Sequence, residues 1–427
     1  MLKKIFGTIG ARYLIAFLNL LLISINGKVL GVEGMGLVGI IYASANIAMI
    51  FSSVLCGNTI VYYMNRYDVR FVIWPAYIWA FIGSAIACVI MYLSGMLPDG
   101  FEVVIFGLAV LLTLVIVNSR VLLGEDKIKA FNVIFLIQGG LLFFVLLFIY
   151  FILNKRSPEA YVWGVFLTNG IAWLVSLILL KSSLNDRLEK PLPHSKIKLI
   201  KEMFIYGLWS SADNLAEGLT TRINYFLLQR LSGYGYVGLL DAGTKISESV
   251  WHISRSVTFI SYSQTTKTKD PNAQIQMTLR FFKLTYCTLI LAMMIILLIP
   301  EWVYTDYIFT EEFSGIQNII RGLSVGIIAL GSNSILGHYF IGTGKVKYST
   351  VCSCCGLLGL LVSGYFLIPS YGVLGAAISS SIAFSVMLLF SLIVFIYLTK
   401  TPFRDLLPTN DDIKRVVQMF KRKKEQN

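Results

Sequence analysis

The chain has 427 residues, 56% of them hydrophobic and 14% charged, with a mean hydropathy of +0.73 and a formal net charge of +13. A soluble domain holds about 45–50% apolar and about 25% charged residues. This composition therefore excludes a soluble multidomain protein, a disordered chain and a disulfide-stapled secreted scaffold, and it leaves a polytopic membrane protein.

A membrane helix needs ~20 mostly apolar residues to cross ~30 Å of hydrocarbon, and twelve such runs follow one another along the chain. The first six are residues 5–26, 37–57, 71–94, 101–123, 131–153 and 161–180. The second six are 203–228, 237–261, 281–299, 316–341, 349–368 and 373–398. Cytoplasmic loops carry the excess Lys and Arg of a membrane protein. With the N-terminus inside, 27 of the 36 cations fall on inner segments, 5 on outer loops and 4 within spans. Both termini are thus expected in the cytoplasm of a multi-pass membrane protein. The positive charge reads as topology, and no nucleic-acid partner is expected. Lys3 and Lys4 before an apolar run resemble a signal peptide, but Arg12 interrupts the run, so an uncleaved first helix is expected. The six cysteines all fall within spans and read as buried thiols, with no metal site.

The polar interval 182–201, with Pro191 and Pro193, separates six spans from six. The expected division is an N-terminal lobe over 1–181, this cytoplasmic linker, a C-terminal lobe over 202–399 and a basic cytoplasmic tail over 400–427. Six is even, so both halves enter the membrane in the same sense, as parallel repeats. The turn Lys28-Val-Leu-Gly31-Val-Glu-Gly-Met-Gly36 echoes Arg230-Leu-Ser-Gly233-Tyr-Gly-Tyr-Val-Gly238 at an offset of 202 residues.

Polar residues inside the spans are concentrated. Span one carries Arg12, Asn19 and Asn26 at seven-residue spacing, and span two carries Asn46. Span seven carries Asp213, Asn214, Glu217, Arg222 and Asn224, and span eight carries Asp241, Lys245, Glu248, His252 and Arg255 on one helical stripe. Each ion costs at least ~2.5–3.5 kcal/mol if it faces lipid, so these faces line protein or a wet cavity. Structural pairing is the plainer reading: Arg222 lies at the depth of Asp241, and Glu217 at that of Lys245. Buried pairs stabilise little, however, so a core has small need of eight charges on three helices. On the functional reading Arg12, Arg222, Lys245 and Arg255 offer a cationic path for an anionic head group. Asp213, Glu217, Asp241 and Glu248 are then candidates for ion coupling, and Asn19, Asn26, Asn46, Asn214, Asn224 and His252 line the cavity. No cofactor is expected, with H+ or Na+ as candidate coupling ions.

The Gly31-Val-Glu-Gly-Met-Gly36 turn before a polar-flecked helix resembles the start of Wzx-type polysaccharide flippases, members of the multidrug/oligosaccharidyl-lipid/polysaccharide exporter superfamily. The stretch Leu298-Ile-Pro300 to Phe313, running into Arg321–Gly326, is similar to the family's connection between spans nine and ten. Gly342-Thr-Gly344, Tyr348-Ser349, Pro369 and Tyr371-Gly-Val-Leu-Gly375-Ala-Ala377 resemble its last three spans. The resemblance covers the whole chain. It implies an all-α membrane protein of twelve helices in two six-helix lobes around a central cavity that opens alternately to each side. It also implies as cargo an undecaprenyl-pyrophosphate-linked oligosaccharide moved from the cytoplasmic to the outer leaflet, with membrane lipid and other polysaccharide-assembly proteins as partners. The charged site residues come from the reading of the spans and not from a family motif.

Three other functions compete. A membrane polymerase or ligase presents its catalytic groups on a large external loop, whereas the longest outer interval here, 300–315, is short, so no enzyme is expected. A nucleotide-driven pump needs a P-loop, and Gly344-Lys345 is followed by Val346 and lacks the first glycine of that motif. A cation-coupled multidrug antiporter of the same superfamily is the serious alternative; it would use carboxylates and has no use for Arg12 and Arg255.

Overall fold

The computed structural model describes residues 2–64, 66–125, 127–185, 193, 195–251 and 270–406, with side chains for all of these except 2–13, 58, 182–185, 209 and 210. Eleven helices account for nearly all of them, and no strand occurs among the described residues. In chain order these are α1 (Leu2–Cys56), α2 (Asn58–Met64), α3 (Val69–Leu93), α4 (Glu102–Gly124) and α5 (Ile128–Ile152), the last broken by two π turns. They continue with α6 (Pro158–Asn185), α7 (Lys196–Ser232), α8 (Tyr234–Glu248), α9 (Pro271–Leu298), α10 (Ile316–Gly342) and α11 (Val346–Thr399).

Eight described helices are long and apolar enough to cross a membrane. Two of these runs are double spans. The first kinks at Gly31 (φ 67°, ψ −178°) and α11 kinks at Gly372 (φ 55°, ψ −129°), backbone geometry that glycine adopts without penalty. The helix α7 is long enough, at 37 residues, but Asp213, Glu217 and Arg222 interrupt its apolar run. The expected second half of span eight, from His252, lies outside the described residues, as do most of the linker (186–192 and 194) and the tail from residue 407. Large apolar side chains stand open on the outside of the bundle, among them Ile178 at 72% and Tyr397 at 77% exposed. In water such a surface would aggregate; in a bilayer it is the solvated face.

The chain divides into two compact units, Met1–Ala242 with Thr305–Phe313, and Gly243–Tyr304 with Ser314–Asn427. In the first unit α7 lies against the second half of α1 along a line of small residues. A Cβ on Gly207 would sit 1.8 Å from the Val54 carbonyl oxygen, Ser53 donates to Ser211 at 3.1 Å, and a Cβ on Gly218 would meet Ile50 at 2.6 Å. Small residues permit this close approach where lipid supplies no hydrophobic driving force between helices. Polar side chains join the remaining helices: Tyr77 donates to Asn118, which donates to Ser176 at 2.6 Å, and Ser52 bonds Ser84 at 3.0 Å. Ile60, Met64, Val72, Ala76, Val117, Val121 and Met203 form an apolar core of this unit.

In the second unit α10 meets α11 in the same manner. A Cβ on Gly326 would lie 2.5 Å from Ser381 Cα, and the Gly326 N–H donates to Ser381 Oγ at 3.1 Å. Leu279, Phe282, Leu336, Phe340 and Phe395 form its apolar core, closed by Leu406.

Candidate functional site

The polar cluster of the first unit is built from α1, α5, α7 and α8. Asn26, 6% exposed, accepts a hydrogen bond from the Tyr150 hydroxyl of α5 at 3.1 Å. On α7 the Arg222 guanidinium donates to the Tyr225 hydroxyl at 3.1 Å, and that hydroxyl donates to Asp241 Oδ1 of α8 at 3.1 Å. Sequence depth matched Arg222 with Asp241; the structure sets the buried Tyr225 hydroxyl between them as a neutral relay, with the guanidinium 5.4 Å from the same ring. Asp241 itself is 3% exposed, and Gly39 of α1 makes room for it, since a Cβ there would lie 3.3 Å from Asp241 Cγ. The buried Tyr161 is within electrostatic reach of Asp241, Tyr42 and Tyr150.

Of the other named residues, Asn224 and Asp213 are buried, Asn19 and Asn46 are half-buried, and Asn214 and Glu217 are exposed. Asn46 donates to its own helix at the Tyr42 carbonyl, 2.7 Å. Lys245 and Glu248 are half-buried in the second unit. The Arg12 side chain, His252 and Arg255 lie outside the described residues. Of the residues named from sequence, the structure thus joins Arg222 and Asp241 through Tyr225, and sets Asn26 against Tyr150 in the same unit.

Three tyrosines of this cluster were not among the residues named from sequence. Tyr225 follows Arg222 by three positions and so shares its helix face, a signal available beforehand. Tyr150 stands in the fifth span and Tyr161 near the start of α6; neither carries any local mark.

The two echoing turns cross each other beside this cluster. Gly31 and Gly233 share one unusual backbone conformation, φ 67° with ψ −178° and φ 90° with ψ 179°. A Cβ on Gly36 would fall 1.9 Å from the Tyr234 carbonyl oxygen, and a Cβ on Gly238 would fall 1.9 Å from the Val32 carbonyl oxygen. The same offset of 202 residues that relates Gly36 to Gly238 relates Val32 to Tyr234. The contact is therefore reciprocal, as a two-fold relation between repeats requires.

A segment following the third span of the second half also belongs to this unit. Lys28 Nζ donates to the Tyr307 carbonyl at 2.6 Å, Ser24 donates to the Ile308 carbonyl, and the Val32 N–H donates to Glu312 Oε2 at 2.9 Å. Phe309 and Phe313 stack at 4.6 Å and are almost fully buried. Phe309 rests on Gly27, where a Cβ would meet its ring at 2.4 Å. Replacement Gly27→Leu is expected to lift this segment and destabilise the protein by about 1–3 kcal/mol, the usual cost of overpacking, seen as a lower melting temperature of the detergent-solubilised protein.

Comparison with solved structures gives the class. The fold is that of an inward-facing multidrug resistance MATE family transporter, with a TM-score of 0.67 at 15% identity over 92% of this chain and 99% of that one. It is likewise that of the lipid II flippase MurJ in an inward closed conformation, with a TM-score of 0.62 at 15% identity over 95% and 89% of the two chains. The protein is an all-α polytopic membrane protein of this twelve-helix, two-lobed class. Residues 1–260 match the family described as polysaccharide biosynthesis protein, and the chain belongs to that family. Among curated relatives it is 23% identical to a putative O-antigen transporter of Shigella flexneri over 299 residues, 68% of this chain and 69% of that one. It is also 23% identical to the capsular polysaccharide biosynthesis protein CapF of Staphylococcus aureus over 192 residues, 44% of this chain and about half, 48%, of that one.

Proposed function

We propose that the protein is a flippase that carries an undecaprenyl-pyrophosphate-linked oligosaccharide repeat unit from the cytoplasmic to the outer leaflet by alternating access, and that it is not an enzyme. Membership of the polysaccharide biosynthesis family is the observation that carries this reading; the names of the O-antigen and lipid II relatives agree with it. The membrane is the bacterial inner one, with both termini in the cytoplasm, as the Lys and Arg distribution indicates. The lobes are residues 1–181 and 202–399, joined through the cytoplasmic linker, and other polysaccharide-assembly proteins are candidate partners.

Arg12, Arg222, Lys245 and Arg255 serve the anionic head group, since delocalised and ammonium cations pair with phosphate oxygens by charge-assisted hydrogen bonds. Asp213, Glu217, Asp241 and Glu248 carry H+ or Na+ in return, and Asn19, Asn26, Asn46, Asn214, Asn224 and His252 solvate the sugar. Charge reversal at Arg12 and Arg255 is expected to abolish surface polysaccharide at unchanged membrane levels of the protein. Normal polysaccharide in that variant removes both residues from the path.

The likeness to MATE transporters favours cation-coupled multidrug antiport as the second reading. Purified protein in liposomes separates the two. Protection of a lectin- or enzyme-accessible lipid-linked glycan on one leaflet tests the flippase, and efflux of an organic cation driven by a proton or sodium gradient tests the rival.

A further inference from the structure

The reciprocal turn contact extends to the cations that open each turn. Lys28 and Arg230 stand 202 residues apart, as do Gly36 and Gly238. Lys28 donates to the Tyr307 carbonyl in the connection after the third span of the second half. Arg230 donates to the Ser94 carbonyl in the connection after the third span of the first half. Each repeat's cation therefore closes on the other repeat's loop. A glycine makes room on each side. Gly95, beside Ser94, has φ 61°, and a Cβ there would lie 2.8 Å from the Arg230 guanidinium. On the other side Glu312 fills the place that a Gly31 side chain would take, 2.9 Å from its ideal Cβ, and caps the Val32 N–H.

We propose that Lys28 and Arg230 are positioning residues of a two-arm external latch, in which each cation holds the opposite repeat's loop and the two arms close together around the Gly36–Gly238 crossing. The physical ground is the glycine contact. With backbone oxygens 1.9 Å from where a Cβ would stand on either side, the crossing has no slack, so displacement at one turn displaces the other. A pair of unrelated surface hydrogen bonds would lack this coupling. The role of the latch in transport rests on the flippase reading, because outward release of a cargo requires the outer ends of the repeats to part; its existence does not.

Hydrogen-exchange mass spectrometry on the full-length protein in lipid nanodiscs, without cargo, tests the latch. In Lys28→Gln, exchange is expected to rise at least fivefold in residues 305–313 and also in residues 94–100, which Lys28 does not touch. Arg230→Gln is expected to show the mirror pattern, and Lys28→Arg, which keeps a charged donor, to stay near wild type. Loosening confined to the loop that each side chain touches overturns the proposal, as does no change in either loop. A global rise in exchange marks unfolding, and in that event Tyr307→Pro, which keeps the carbonyl acceptor but alters the receiving loop, is read instead; loosening of residues 94–100 supports the latch and its absence overturns it. Coupled loosening in a protein that moves no lipid-linked glycan in liposomes would leave the latch standing and discard the cargo.

Discussion

Replacing Gly238 by valine is expected to reduce surface polysaccharide at least tenfold, with Gly36→Val giving the same result. At both positions the new Cβ falls 1.9 Å from a carbonyl oxygen of the facing turn, against ordinary contacts of about 3.4 Å or more, and that oxygen belongs to backbone, which cannot swing aside as a side chain would. Overpacking of this kind costs about 1–3 kcal/mol where neighbours can shift, and more where they cannot. The crossing must therefore open by more than an ångström. Because the contact is reciprocal, the two valine variants should be equivalent, and the double variant should be little worse than either, since one displaced crossing relieves both clashes. That non-additivity is measurable as a double-mutant cycle on melting temperature and polysaccharide yield together, normalised to protein in the membrane fraction. Additive losses would mean that the two glycines act in separate contacts.

The second large effect is expected at Asp241. Truncation to alanine removes the acceptor of the buried Tyr225 hydroxyl at a position 3% exposed and leaves a void where the carboxylate stood. Leaving a buried donor without its charged acceptor costs about 1–3 kcal/mol, with the void added to it, a sizeable part of a typical margin of stability. Asp241→Asn keeps the shape and an acceptor oxygen but loses the charge, and Tyr225→Phe keeps the ring and loses both hydroxyl bonds, for which about 1–3 kcal/mol is expected. The order of melting temperatures should be wild type, then Tyr225→Phe and Asp241→Asn, then Asp241→Ala. In transport the order differs if the carboxylate also carries the coupling ion. Asp241→Asn should then be as inactive as Asp241→Ala, while Tyr225→Phe retains flux; parallel losses in stability and flux across all three variants would assign Asp241 a structural role alone.

These two sites show different degrees of legibility. The echo of Lys28-to-Gly36 in Arg230-to-Gly238 is visible in the chain, and it marks both the glycines that touch and the cations that close on the loops. What it does not reveal is that the two turns meet each other, since a repeat specifies an operator between segments and not their separation. Asp241 and Arg222 are likewise legible as intramembrane charges at matching depth. The tyrosine between them is less so, because Tyr is ordinary in membrane helices and only its helical spacing from Arg222 offers a hint. Lys28 is read from sequence only as the cation that opens its turn, and nothing local announces its bond to the Tyr307 carbonyl 279 residues away.

Composition, the spacing of apolar runs and the distribution of Lys and Arg by themselves determined that this is an all-helical membrane protein of twelve spans, because hydrocarbon imposes a length and a polarity on every crossing segment irrespective of its neighbours. The tertiary structure alone decided which polar groups meet: Asn26 with Tyr150, Arg222 with Asp241 through Tyr225, Gly36 with Tyr234, and residues 307–312 with Ser24, Lys28 and Val32. Such contacts join positions far apart in the chain and turn on ångström-scale fit between helices, and neither periodicity nor charge count carries that information.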